Sequence, residues 1–201
     1  MATTPTPRER FCSILRATGR ENIEYVIEDL EAFGFFEAPA SVRNHFNHAG
    51  GLLEHSLGVY DAAMMLRKDI IERRPDLEAR LPEDSVAIAA LLHDVCKADI
   101  YRLVTRKRKN EIGIWEDTKD YEVDYTSLPV GHGEKSVMRL LRMGLDLEDD
   151  EILAIRWHMG AWAVDSHSVE MDRSYRQAIA NTPLLPLIHT ADTLASQIFE
   201  R

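Results

Sequence analysis

His93 and Asp94 stand side by side at the end of the run Val86-Ala87-Ile88-Ala89-Ala90-Leu91-Leu92. That run is apolar all round, which predicts a buried central helix. Charged groups are costly to bury unless they are paired or bound to a cation. Imidazole and carboxylate are both good ligands for divalent transition metals, so the pair predicts a metal site. Four other residues qualify as partners. His55, in Gly50-Gly51-Leu52-Leu53-Glu54-His55, shares a helical face with Leu52, Val59, Ala62 and Leu66 and so points inward. His132 opens a helix in Gly131-His132-Gly133-Glu134, and His158 lies near the end of another in Ile155-Arg156-Trp157-His158. Asp192 sits in the apolar final helix, within His189-Thr190-Ala191-Asp192-Thr193-Leu194-Ala195. Such side chains can converge at the centre of a helical bundle. Six ligands exceed what one open catalytic ion needs, which points to two divalent ions per chain bridged by Asp94. Paired ions clamp the attacking and leaving oxygens when a phosphoryl group is transferred to water.

The scaffold that must bring these residues together is read from helical periodicity. Helices are predicted over residues 8–18 and 21–34, the second carrying Ile23, Val26, Ile27, Leu30 and Phe33 at three-and-four spacing. A loop rich in Pro, Asn, His and Gly covers 35–50, and helices follow over about 51–73 and 83–97. Residues 100–117 break the pattern. Ile100-Tyr101-Arg102-Leu103-Val104-Thr105 and Ile112-Gly113-Ile114-Trp115 are β-prone around a polar turn at Lys109-Asn110-Glu111, which predicts a β-hairpin. A loop is expected over 118–131, and helices resume over about 132–143, 148–160, 170–180 and 184–200. The acidic stretch Glu148-Asp149-Asp150-Glu151 suits the positive end of its helix. The expected fold is an all-α bundle with a small hairpin insert. It forms a single domain over 8–201, behind a short disordered lead over 1–7.

Bulk composition narrows the function. A chain of 201 residues with 45% hydrophobic content can bury a core of useful size in one domain. A net charge of −10 argues against broad electrostatic binding to duplex nucleic acid or an anionic membrane. The two cysteines, Cys12 and Cys96, share no zinc-ligand spacing, and a reducing cytoplasm is the expected location. No apolar run approaches membrane-spanning length, and the first residues do not read as a secretory signal.

The order His55, His93-Asp94, Asp192 resembles the signature of the HD-domain metal-dependent phosphohydrolases. The strings Gly50-Gly51-Leu52-Leu53-Glu54-His55, Leu91-Leu92-His93-Asp94-Val95-Cys96-Lys97 and His189-Thr190-Ala191-Asp192 carry the resemblance, which runs from about 45 to 198. His132 and His158 are similar to the extra histidines of two-metal members, such as the cyclic-nucleotide phosphodiesterase-like ones. The resemblance implies an all-α fold and hydrolysis of a phosphoester or phosphoanhydride, usually in a nucleotide, by metal-activated water. His55, His93, Asp94 and Asp192 would hold one ion, and Asp94, His132 and His158 the other. Mn, Fe, Ni, Co, Zn and Mg all remain open as the metal. Lys97 matches a position where many members carry lysine. One helical turn beyond Asp94, it would act with Asp94 in catalysis and reach a phosphate oxygen as a point charge.

Candidate substrate contacts surround this core. Arg102 and Arg106 lie nearest the metal helix in a basic hairpin that also carries Arg108, Lys107 and Lys109, with Tyr101 and Trp115 close by. His48, two residues before the Gly50-Gly51 turn, can line the mouth of the site, as can His45. Tyr121 and Tyr125 can pack on a base or close the site. Glu134 and His189 can orient ligands, though a helix N-terminal acid and a structural histidine explain them as well. A small nucleotide is the first expected substrate. A phosphodiester in a cyclic nucleotide or a short single strand comes second, kept open by the basic hairpin. A nucleotide-binding sensor without catalysis is the third reading. No membrane partner is expected, and a homo-oligomer stays open.

Overall fold

The computed structural model describes residues 4–43, 46–165 and 167–200. The helices are α1 (Pro7–Ala17), α2 (Ile23–Ala32), α3 (Gly51–Arg73), α4 (Glu83–Leu92), α5 (Lys97–Ile100), α6 (His132–Arg142), α7 (Asp149–Trp157), α8 (Val169–Asn181) and α9 (Leu184–Leu194). Short 3-10 turns run over Pro75–Arg80 and Gly160–Ala163, and a π turn over Ala195–Phe199 follows α9. Strands β1 (Tyr101–Lys109) and β2 (Trp115–Val123) form an antiparallel hairpin. The all-α fold with a hairpin insert is the one expected. Residues 1–3 of the expected lead, and His45, lie outside the described residues.

Helix α4 is the axis. Every residue from Ser85 to Leu92 is buried, as an all-round apolar run requires. Helix α3 packs against α4 and α9, and α7 packs against α4, α6 and α9. The buried positions Leu52, His55, Val59 and Ala62 of α3 lie at three-and-four spacing, so they share one stripe. The N-terminal helices close one end of the bundle with Phe11, Leu15, Val26 and Leu30. Each such full burial stabilises by roughly 1.5–3 kcal/mol. Helix α1 opens at Pro7, where the Thr6 hydroxyl and the Glu9 carboxylate cap each other's backbone N–H.

Two elements differ from the sequence reading. Helix α4 stops at Leu92, not near residue 97, and the chain turns through 93–96 before α5. Tight turns replace helical bonds there, with Val95 N–H donating to the Leu92 carbonyl at 3.3 Å and Lys97 N–H to the Asp94 carbonyl at 2.9 Å. The second strand also runs further, from Trp115 to Val123, through a segment expected as loop. Its register sets Arg108 opposite Glu116, Val104 opposite Asp120 and Arg102 opposite Glu122. Ion pairs of 2.8 Å join Arg102 and Arg106 to Glu122, and Arg108 to Asp120. Cross-strand charge, not apolar alternation, marks this strand, so a hydrophobic pattern does not reveal it.

Two buried ionic clusters brace the frame. Lys135 on α6 is 1% exposed. Its ammonium lies 2.8 Å from Asp99 and 2.5 Å from the Ser127 carbonyl, and Arg139 also pairs with Asp99. This clamp ties the segment returning from the hairpin to α5 and α6. Elsewhere Arg20 joins Glu151, Asp84 and Ser85, linking the α1–α2 turn to α4 and α7. Glu151 is fully buried, and burial pushes its carboxyl upward. Among the described residues no helix is long and apolar enough to cross a membrane.

Candidate metal centre

Asp94 follows the end of α4 and is 2% exposed. Its two oxygens face different groups. Oδ2 lies 3.2 Å from His93 Nε2, 3.6 Å from His55 Nε2 and 2.5 Å from Lys97 Nζ. Oδ1 lies 2.5 Å from His132 Nε2 and 3.3 Å from His158 Nε2. His55 Nε2 is also 3.3 Å from Asp192 Oδ1. The six residues form three overlapping triads, His55–His93–Asp94, His93–His158–Asp192 and Asp94–His132–His158, each with donor atoms within 4.8 Å of one another. All six residues singled out as ligands therefore meet, from α3, the end of α4, α6, the end of α7, and α9.

The local structure explains how the imidazoles are aimed. His93 and His158 are the C-cap residues of α4 and α7. Each folds back over its own last turn, so that Nδ1 donates to the carbonyl three residues earlier, Ala90 at 2.9 Å and Ile155 at 2.7 Å. A carbonyl only accepts, so Nδ1 carries a hydrogen and Nε2 is the nitrogen turned towards the cluster. Both Nε2 atoms are buried without a hydrogen-bond partner among the described residues. A lone pair facing a carboxylate oxygen repels it unless a proton or cation lies between them. Buried imidazoles that turn Nε2 towards a shared carboxylate therefore fit divalent ions. His189 supports this arrangement by donating from Nδ1 to the His158 carbonyl at 2.6 Å. Gly133 allows α6 to reach α7, because a Cβ there would lie 2.1 Å from the Arg156 carbonyl oxygen. That approach sets the His132 and His158 rings 5.3 Å apart.

The charges are strongly coupled. Burial raises the Asp94 carboxyl, but Lys97, His93 and His132 hold it well below the usual range. Asp192 is likewise held low, with the His55 hydrogen bond overriding its burial. Burial lowers His55, yet hydrogen bonds to Asp192 and Glu200 lift it to about 9. Burial lowers His132 despite its contact with Asp94, whereas Asp94 outweighs burial at His158 and raises it. The Cys96 thiol lies 3.4 Å from His132 Nδ1, and burial pushes it up to about 12. Cys96 and Cys12 are both free thiols.

The surrounding residues divide. Lys97 is 13% exposed and pinned to Asp94. His132 and Asp192, at 24% and 17%, are the most exposed of the six ligand candidates and mark the open side of the cluster. Tyr101 borders that region, its phenol pushed up to about 12 by burial against the influence of Lys97. Tyr101 also lines a cleft of about 880 Å³ between the hairpin and residues 41–43 and 47, together with Arg43, Arg106, Arg108 and Tyr121. Arg102 is exposed and tied to Glu122 and Asp124, outside that cleft lining. His48 is exposed, 3.0 Å from the Ala49 carbonyl and 3.9 Å from Glu54, and belongs to none of the triads. Glu134 pairs with Arg156 and braces α6 against α7. Sequence reasoning missed Glu200, whose carboxylate reaches His55 Nδ1. No spacing signal could have found it, because the π turn after α9 decides where it points.

Comparison with known proteins agrees with this geometry. The family described as HD domain matches residues 52–197. A curated relative, dihydroneopterin 2',3'-cyclic phosphate phosphodiesterase of Methanocaldococcus jannaschii, is 31% identical over 94 residues. That alignment covers 47% of this chain and 34% of the relative, so the chain matches about a third of the relative's length. No solved structure gives a significant match.

Proposed function

The chain belongs to the HD-domain family, and from that footing we propose that residues 8–201 act as one divalent-metal-dependent phosphohydrolase domain acting on a nucleotide. The bond cleaved is a phosphoester or phosphoanhydride. One observation carries the reading. Asp94 offers one oxygen towards His93 and His55 and the other towards His132 and His158, with Asp192 beside His55. His55, His93, Asp94 and Asp192 would hold one ion, and Asp94, His132 and His158 the second. Bound ions would supply water acidified to near neutrality and positive charge against the phosphate oxygens.

The chain's own residues do the rest. Asp94 fixes the Lys97 ammonium at 2.5 Å, on the oxygen that also faces His93 and His55. Lys97 there binds a phosphate oxygen and offsets the charge that develops on it. The deep burial of His93, His55 and His158 keeps bulk water from the inner face, which strengthens every charge interaction there. Tyr101 keeps its proton and can donate it in a hydrogen bond at the mouth. Arg106, in the cleft lining, meets the part of the substrate beyond the scissile phosphate. His48 and Arg102 would contact it only from the rim.

A cyclic phosphodiester is the second reading, favoured by the printed activity of the partial relative. Chromatographic product analysis separates the readings. Wild type and Asp94→Ala are incubated with nucleoside monophosphates, triphosphates, cyclic nucleotides and a short RNA in the presence of manganese. Release of inorganic phosphate or triphosphate by wild type alone supports the first reading, and ring opening of a cyclic phosphate supports the second. Nucleotide binding without any product would make the protein a sensor and overturn both.

A further inference from the structure

We propose that Glu200 is the positioning residue for His55, a role that rests on the metal-binding reading of that histidine. Both Glu200 carboxylate oxygens lie 3.0 Å from His55 Nδ1, and the Glu200 side chain is 4% exposed. A carboxylate only accepts, so it keeps a hydrogen on Nδ1 and reserves Nε2, which faces Asp94 at 3.6 Å and Asp192 at 3.3 Å, as the nitrogen for a metal ion. Glu200 stands beyond the last residue of the family match, 197, so the shared motif does not include it.

His55 needs such a partner more than the other buried imidazoles do. His93 and His158 sit at helix ends and bond back to carbonyls of their own last turn. His55 lies inside α3, where the backbone carbonyls are engaged in the helix. Its acceptor has to come from another element, and an anionic acceptor also makes the imidazole a stronger electron donor.

The fold is shaped to deliver this carboxylate. At about 100° per residue, eight residues of α-helix would turn Glu200 about 80° away from the face of Asp192. The π turn over Ala195–Phe199 winds more slowly and takes up that angle. One segment thereby presents two carboxylates to His55, Asp192 to Nε2 and Glu200 to Nδ1. On the facing helix, Gly58 follows His55 by three residues. A Cβ there would lie 2.9 Å from Glu200 Oε1. Glycine is costly inside a helix, and here its bare surface seats the carboxylate.

The test measures manganese binding to the full chain, by electron paramagnetic resonance of free Mn2+, for wild type, Glu200→Ala, Glu200→Gln, Gly58→Ala and His55→Ala. Thermal melting of each metal-free variant confirms that it is folded. Glu200→Ala is expected to weaken one Mn2+ site about 10–100-fold, the loss typical of removing a partner that orients a ligand. Glu200→Gln should lose less, because its amide oxygen still accepts. Gly58→Ala improves helix propensity but displaces the carboxylate, so Mn2+ affinity should fall while the helix is not weakened. A purely structural Glu200 would lower the melting temperature and leave Mn2+ affinity unchanged. The proposal is overturned if folded Glu200→Ala binds Mn2+ within about twofold of wild type while His55→Ala loses a site. If His55→Ala also binds like wild type, the metal reading of His55 fails and the proposal falls with it.

Discussion

His132 Nε2 lies 2.5 Å from Asp94 Oδ1, while Lys97 Nζ lies 2.5 Å from the other oxygen, Oδ2. The carboxylate thus has a histidine-only side and a side that carries the ammonium. If each side belongs to a separate ion, the stoichiometry should divide the same way. Purified His132→Ala and His158→Ala should each retain one Mn2+ per chain where wild type retains two. Asp94→Ala should lose both, with affinity falling by more than about 100-fold, beyond the loss of a mere supporting contact. Elemental analysis after dialysis reads this directly. A single ion in wild type and in His132→Ala alike would refute the two-ion arrangement.

The role proposed for Lys97 is separable from metal binding. Lys97→Met removes the charge but keeps much of the aliphatic stem. The expected result is metal content like wild type and kcat lowered about 100–1,000-fold, the scale for losing one donor to developing charge. Lys97→Arg should not restore full rate, because a planar guanidinium does not replace a compact ammonium. Full activity in Lys97→Met would remove this residue from the chemistry.

Much of this site is legible in the sequence because burying charge leaves a recognisable trace. His93 and Asp94 close an apolar run, and His55 sits on an inward stripe, so helical periodicity alone aims them at the core. Asp192 is legible for the same reason. The extent of β2 is not, since Glu116 to Glu122 is polar and gains its strand from charges across the hairpin. Nor is the burial of Lys135, whose partners Asp99 and Ser127 lie on other segments. Glu200 depends on a backbone irregularity, the π turn, that no residue pattern announces. The break after Leu92 is hidden because residues 93–97 remain helix-compatible in type.

The metal-free protein should respond to pH through His55 and the two aspartates. His55 is raised to about 9 in the fold, above its unfolded value near 6.5. Its contribution is complete below about pH 6.5 and is lost as pH rises through about 9. Asp94 and Asp192 are depressed, so their contribution is present above their unfolded values near 4 and is lost as pH falls towards their folded ones. Metal binding displaces protons from the imidazoles, so its affinity should rise over pH 6.5–9. Melting scans should show the metal-free protein weakening over that window, while the gain on adding Mn2+ grows. A gain independent of pH would contradict the protonated state of His55.

Lys135→Ala leaves the half-buried Asp99 with Arg139 as its remaining cationic partner. Breaking one member of a buried pair costs about 3–5 kcal/mol, and the surviving Arg139 contact puts this variant near the lower figure. Urea denaturation of the metal-free variant should show the shift as a lower midpoint. Lys135→Met, which refills the volume, should recover part of it. A midpoint within about 0.5 kcal/mol of wild type would mean that the clamp does not hold the fold.

The same clamp has a mechanical consequence. The charged hairpin projects from the bundle with both strands largely exposed. Its return segment is fastened at Ser127 and Asp99 before the chain reaches His132 at the start of α6. Tension on the outer arm is therefore met at Lys135 and Arg139, in the body of α6, and not at the backbone just ahead of His132. The molecule thus sets an outlying, solvent-facing arm apart from a deeply packed anvil of histidines and carboxylates, joined through one ionic rivet.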